Sequence, residues 1–471
     1  MQACPALGYH ISGPVRVKKQ GFIKGALTIS AGGLISKLLG AVYRIPLVAY
    51  LGGEGMGIYQ LVYPLYCILL TVSASGIPTG IARLISSGGQ NGVEKKAFYL
   101  YGGIGLIGSL IMFALSYPLA QAQGEIGVAR CCKLLSPSVF FVAIISVVRG
   151  YFQGKSNMFP TAFTEVLEQL VKVAVGILLA GLYKGNTLKA TAVAVLAVTV
   201  SEVIACIYAV IMYITEQRRV KPLFKTPAPS AKKIFAYTIP LTFSAIALPV
   251  SQLLESIAVV NILRKTADNA TALYGIFSGC AITLINLPVS VTYGLAAATV
   301  PLVSPLASKG DMQGAIEKVK KSLFYTLIIS LPFAVGLYVF SPLAVKLLFS
   351  SLQTGERELL IKLVRIMSIN AVTSSLVQTS SACITSLGKP VWGMVTQWTC
   401  AILRVLLSSA LVAFTPLSIT GAALSSNVCY FVAIILNLCY IISVKNSSGG
   451  NTNVNNFNRL RNQSRRFNAI S

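Results

Sequence analysis

The chain has 471 residues, of which 55% are hydrophobic and 11% charged, against roughly 25% charged in an ordinary soluble domain. That balance excludes a soluble globular fold of this length. The formal charge of +26 comes with no nucleic-acid-binding motif, so basic loops at a membrane face are its simplest source and no nucleic-acid partner is expected.

The apolar residues fall in runs of about 20 or more, the length a helix needs to cross a bilayer. Lipid offers no hydrogen bonds to a backbone, and the runs do not alternate, so they predict helices and not a barrel. Twelve spans are predicted: 23–50, 56–84, 97–121, 132–153, 159–184, 187–215, 234–263, 271–304, 322–349, 359–387, 389–415 and 419–444. The expected fold class is therefore an all-α integral membrane protein of two six-helix lobes around a central cavity. In domain terms this gives an N-terminal tail (1–20), a first lobe (21–215), a basic linker (216–233), a second lobe (234–444) and a polar basic tail (445–471).

Charge orients the spans. With the N-terminus inside, the inner segments hold Lys95, Lys96, Lys155, Arg218, Arg219, Lys232, Lys233, Lys318, Lys320 and Lys321. The outer loops are poorer, with Lys184, Lys189, Arg264 and Arg357 among the few. This bias places both termini in the cytoplasm. The segment EQRRVKPLFKTPAPSAKK at 216–233 reads as the linker between halves.

Ionisable residues inside spans are costly, roughly 2.5–3.5 kcal/mol each at mid-bilayer, and usually face a protein interior or a watery cavity. The first span carries Lys37 and Arg44, seven apart and nearly on one face. Each either lines a cavity or snorkels to an interface. Glu202, Glu255, Lys346, Arg365 and Arg404 are further candidates, and Arg83 and Arg149 sit near inner ends where snorkelling suffices. Glu168 and Lys172 have the i,i+4 spacing of an internally neutralised pair. Glu255 follows Ser251 and Gln252, a patch that suits either a cavity wall or helix–helix hydrogen bonding. Arg365 and Arg404 are candidates to face the same central space from the second half. Lys37, Arg44, Glu255, Arg365 and Arg404 are the expected cavity-lining, ligand-binding set.

The lone His10 lies in the N-terminal tail. The cysteines, such as Cys67, Cys206, Cys280, Cys383, Cys429 and Cys439, lie in apolar runs without paired spacing. No metal site, disulfide framework or cofactor is expected. No GxxxxGK[ST] phosphate loop appears, so energy would come from gradients, membrane potential or substrate consumption.

SKLLGAVYRIPLVAYLGGEGMGIYQLVYPLYCILLTVSASGIPTGIARLIS at 36–86, RGYFQGKSNMFPTAFTEVLEQLVKV at 149–173 and LINLPVSVTYGLAAATVPLVS at 284–304 resemble the stage V sporulation protein B family. That family belongs to the polysaccharide exporters of the multidrug/oligosaccharidyl-lipid/polysaccharide superfamily, with lipid II flippases as relatives. The resemblance implies movement of undecaprenyl-pyrophosphate-linked saccharides, such as a peptidoglycan precursor for spore cortex, without enzymatic chemistry. Implied partners are that lipid-linked saccharide, membrane lipids and envelope-synthesis proteins. Lys37 and Arg44 fall where lipid II flippases carry basic residues in the first helix. Those relatives also place an Arg shortly before a Pro in the eighth helix, where this chain has Thr283 before Pro288, and many have fourteen spans. Three other readings stand beside this one: a cation-coupled multidrug exporter, a non-transporting spore-envelope assembly protein, and a membrane glycosyltransferase. The last would need catalytic carboxylates on a sizeable loop, and the linker's only acid is Glu216.

Overall fold

The protein is described by a computed structural model that covers residues 22–74, 76–86, 93–219, 242–243, 245–388 and 390–467, with the backbone alone from 445 onward. The predicted N-terminal tail, most of the 216–233 linker and the Arg83 side chain lie outside the described residues, while the backbone of the predicted C-terminal tail continues as helix to Phe467. The described residues form helices and no strands. In chain order these are α1 (Phe22–Ala74), α2 (Ile77–Ser86), α3 (Val93–Ala114), α4 (Ser116–Ala122), α5 (Gly127–Gly154), α6 (Phe159–Leu182), α7 (Thr187–Arg219) and α8 (Ala247–Leu263). Then follow α9 (Ala270–Tyr274), a π-helical turn (Gly275–Ala281), α10 (Ile282–Ser308), α11 (Met312–Val339), α12 (Ser341–Leu348), α13 (Thr354–Met367), α14 (Ile369–Ser386), α15 (Pro390–Phe414) and α16 (Ile419–Phe467).

Eight helical stretches among the described residues are long and apolar enough to cross a bilayer, and the bent pair α13–α14, with 47° between its arms, is a ninth. That count is roughly consistent with the twelve expected spans when three details are considered. The 53 residues of α1 would extend about 80 Å at roughly 1.5 Å per residue, far beyond a ~30 Å hydrocarbon core. The helix breaks at Gly52 (φ 65°, ψ −172°), a left-handed conformation that a residue without Cβ adopts freely. Arg44 and Tyr59, on either side of that break, line one cavity, so the second arm turns back beside the first. α6 is charged by Glu165, Glu168 and Lys172, and α8 is short for a span. The predicted ends differ where spans are interrupted: the third divides into α3 and α4, and the ninth into α11 and α12.

α1 to α7 pack on one another through the pairs α1–α6, α3–α5, α5–α7 and α6–α7. α8 to α16 form a second lobe through α8–α15, α10–α14, α11–α14 and α15–α16. The main packing between lobes runs through α1, which touches α8, α9, the π turn and α10. Phe324, Leu331, Val335, Ile402, Leu406 and Ile435 are exposed on the outer helices, a surface suited to lipid and not to water.

Lipid is as apolar as leucine, so burial of leucine gives little drive for helix association here, and polar contacts contribute. The second lobe has a chain of them. Thr292 meets Ser375, Thr299 donates to Ser322, and Thr326 pairs with Thr379, all at 2.9–3.0 Å. Asn437 ties α16 to Ser380 on α14 and to Thr396 on α15. Each such bond contributes about 0.6 kcal/mol on average.

Where the lobes meet near Gly52, backbones approach without side chains between them. A Cβ on Gly57 would strike the Thr271 carbonyl, and one on Gly275 would strike the Gly53 carbonyl. Glycine at 57 and 275 is what lets α1 seat on α9 and the π turn. Gly57→Val should therefore lower the thermal unfolding midpoint of purified protein by several degrees, since overpacking costs roughly 1–3 kcal/mol. Gly294→Ala, whose Cβ would meet nothing within 4 Å, should leave the midpoint unchanged.

Candidate functional site

A cavity of about 440 Å³ lies between the lobes. α1 supplies Ser36, Lys37, Tyr43, Arg44, Tyr59 and Tyr63, α6 supplies Gln169 and Lys172, and α10 supplies Thr283, Asn286 and Ser290. Its lining includes three cations and no acid. None of the ion pairs among the described residues involves Lys37, Arg44 or Lys172. Ser36 Oγ, Tyr43 Oη and Gln169 Oε1 are buried without a hydrogen-bond partner. Buried polar atoms are normally paired, so these three add unused capacity to the unpaired positive charge. An anion bearing hydroxyl or carbonyl groups would satisfy both.

Two of the cations reach across to the second lobe. Arg44 Nη1 donates to Thr283 Oγ1 at 2.8 Å, and Thr283 donates onward to the Gly279 carbonyl at 2.5 Å. Lys37 Nζ sits 3.4 Å from the centroid of the Tyr293 ring. The Pro288 ring interrupts α10 between these contacts. The π turn widens the helix just before Thr283, and its Ser278 carbonyl accepts from Gln60 Nε2 at 3.0 Å.

Lys172 was hidden in the sequence by its i,i+4 spacing from Glu168. The structure pairs Glu168 with Arg149 instead, at 2.5 Å. Arg149 Nε also donates to Thr164, so the guanidinium is anchored on α6 and Lys172 is left to the cavity. Arg149 is thereby a buried structural partner and not a snorkelling residue. Glu202 is also buried, with Oε2 unpartnered, and does not line the central cavity.

The other candidates are not brought to this cavity. Glu255 on α8 and Arg404 on α15 bond each other at 2.8 Å with side-chain exposures of 1% and 10%. Of the two alternatives for Glu255, the structure has the helix–helix contact. Arg404 also edges a separate, mostly apolar cavity of about 270 Å³ within the second lobe, with Ser251, Gln397 and Tyr430. Arg365 Nε donates to Ser341 on α12 at 3.1 Å, and Lys346 is exposed on α12. In this structure Glu255, Arg365 and Arg404 do not line the cavity of Lys37 and Arg44; their bonded partners lie within α8–α16.

At the Gly52 end the cavity is closed by bonds between lobes. Arg264 pairs with Glu125 at 3.3 Å and also donates to the Gly124 carbonyl. Thr271 donates to Glu125 at 3.0 Å, Asn261 to the Ala122 carbonyl at 2.6 Å, and Gln123 to Ser256 at 3.0 Å. At the other end Lys37 is exposed, which marks the mouth.

The family model for polysaccharide biosynthesis proteins matches residues 22–307, and the MatE model matches 240–409. Stage V sporulation protein B of Bacillus subtilis (strain 168) is 28% identical over 350 residues, 71% of this chain and 68% of that protein. The lipid II flippase MurJ of the same organism is 22% identical over 349 residues, 68% of this chain and 64% of that protein. An inward-facing multidrug resistance MATE family transporter of the MOP superfamily superposes with a TM-score of 0.67 at 16% identity, covering 88% of this chain and 96% of that one. That likeness establishes the fold.

The Glu255–Arg404 pair gives a test of its own. Removing one partner leaves an uncompensated buried charge, at about 3–5 kcal/mol. Arg404→Met should therefore be strongly destabilising in thermal unfolding. The double variant Glu255→Leu with Arg404→Met should recover most of the loss.

Proposed function

Because the chain belongs to the polysaccharide biosynthesis protein family, we propose that it is a flippase for an undecaprenyl-pyrophosphate-linked saccharide, working by alternating access. The observation that carries this reading is the inter-lobe cavity with three unpaired cations and no acid. A pyrophosphate-sugar head does not cross hydrocarbon unaided, because burying unpaired charge costs tens of kcal/mol by Born estimates. Lys37, Arg44 and Lys172 replace water around the phosphates with charge-assisted hydrogen bonds. The phenols of Tyr43, Tyr59 and Tyr63 and the amides of Gln169 and Asn286 meet sugar or amide groups. The lipid chain stays in the bilayer, threaded between the lobes. A peptidoglycan precursor fits these demands, and the named relatives that act in sporulation and lipid II movement support that choice.

In the proposed topology both termini and the 216–233 linker are cytoplasmic, the two lobes are residues 21–215 and 234–444, and the mouth at Lys37 opens inward. The bonds at the Gly52 end then form an outer gate, and the structure is the loading state. Outward passage requires Arg264–Glu125 and its neighbours to part. Membrane potential contributes about 2.3 kcal/mol per charge per 100 mV, so net charge in the cavity governs how the loaded and empty steps respond to voltage.

The MatE match over 240–409 favours a second reading, a cation-coupled drug exporter. A cavity for cationic drugs needs acids, and this one has none among its lining residues.

The test is flipping in liposomes, with lipid II, plain undecaprenyl phosphate and a cationic dye compared. Transport of the pyrophosphate-linked saccharide is expected; transport of the dye alone would establish the exporter reading. Lys37→Ala and Lys172→Ala should each weaken lipid II binding roughly tenfold to a hundredfold, the equivalent of about 1.5–3 kcal/mol per charged contact, with membrane abundance unchanged. For topology, a cysteine placed in 216–233 should be unreactive to impermeant reagent in intact cells, and labelling from outside would reverse the orientation.

A further inference from the structure

Lys37 and Arg44 lie on one face of α1, yet their partners on α10 differ in kind. Thr283 takes one of the five N–H donors of Arg44, so the rest of the guanidinium stays available in the cavity. Tyr293 takes the ammonium of Lys37 itself, with Nζ at 3.4 Å from the ring centroid. On a ring face part of the ammonium's three-donor set is turned to the ring, so an anion must draw it away to engage it fully. A Cβ on Gly33 would lie 3.5 Å from Tyr293 Cε1 and 3.8 Å from Glu165 Oε2, ordinary van der Waals distances, so Tyr293 and Glu165 both pack against α1 beside Lys37. The Lys37–Tyr293 contact joins α1 of the first lobe to α10 of the second at the mouth, while the outer network of Arg264, Glu125 and Thr271 joins the lobes at the far end.

We propose that Tyr293 is a displaceable tie, holding Lys37 across the mouth until an anionic headgroup takes the ammonium from it. This rests on the flippase reading and adds its regulation. A phosphate oxygen offers a full charge and directional acceptors, where a ring offers a quadrupole. Headgroup arrival thus docks the first phosphate and severs a bond between α1 and α10 in one step. α1 carries the main contact between the lobes, so releasing it at the mouth on loading couples occupancy to movement. Thr283 acts differently: it remains bonded and holds Arg44 in place, as a positioning residue.

The two roles predict opposite signs. A competitor's removal frees the binding-competent form and tightens apparent affinity, whereas loss of a positioning bond weakens it. Binding of inorganic pyrophosphate to the full-length protein in detergent, followed by calorimetry at fixed ionic strength, reads both. Tyr293→Leu should bind roughly three- to tenfold more tightly than the native protein, the range a cation–π contact spans. Tyr293→Phe keeps the ring face and should bind as the native protein does. Thr283→Val, nearly equal in volume, should bind several-fold more weakly. Unfolding midpoints confirm that each variant is folded, and Tyr293→Met serves in place of Tyr293→Leu if that variant is not. Native protein that binds pyrophosphate while the aliphatic Tyr293 variant binds it equally or more weakly overturns the tie and leaves the flippase reading standing. Native protein that binds neither pyrophosphate nor lipid II overturns the anion cavity on which the tie depends.

Discussion

Unpaired positive charge inside a membrane protein is the constraint around which this structure is arranged. Elsewhere several charges are neutralised in pairs: Arg149 with Glu168, Arg404 with Glu255 and, at the rim, Arg264 with Glu125. Lys37, Arg44 and Lys172 have no such partner and share one cavity. Three cations in a partly dry space repel one another and forgo hydration, a cost that a purely structural interior would avoid. Arg149–Glu168 and Arg404–Glu255 hold helices together within a lobe and Arg264–Glu125 joins the lobes at the rim; the unpaired cations sit between lobes, in the cavity proposed to take a ligand.

The same arrangement explains the build of α1. It must present cations to the cavity, fold back at Gly52 and touch the second lobe along its length. Glycines at 53, 55 and 57 admit neighbouring groups where a Cβ would collide, so the Gly52 end closes tightly. The second lobe, laced by Thr, Ser and Asn bonds between α10, α11, α14, α15 and α16, has polar cross-links that suit motion as a unit. In the proposed cycle α1 is the part whose contacts change.

Much of this is legible in the amino-acid sequence. Apolar runs separated by charges marked the spans because a bilayer imposes length and composition together. Lys37 and Arg44 stood out because a charge in mid-span demands a reason. Lys172 did not, because Glu168 four residues away offered a local partner; only packing of α5 on α6 shows that Arg149 claims that carboxylate. Glu255 and Arg404 were legible as interior charges but not as each other's partners, since 149 residues separate them and periodicity within one helix cannot reveal a contact with another. Thr283 carries no charge that the sequence alone marks as a contact, and the structure gives it a part: a neutral acceptor that Arg44 of α1 reaches. In this chain the cation comes from the first lobe and the second supplies the hydroxyl.

The most direct measurement is a cryo-electron microscopy structure of the protein with lipid II bound. The account predicts the pyrophosphate between Lys37, Arg44 and Lys172, with Lys37 withdrawn from Tyr293. A pyrophosphate seated elsewhere, such as the second-lobe cavity beside Arg404, with the three cations still facing an empty space, would contradict it.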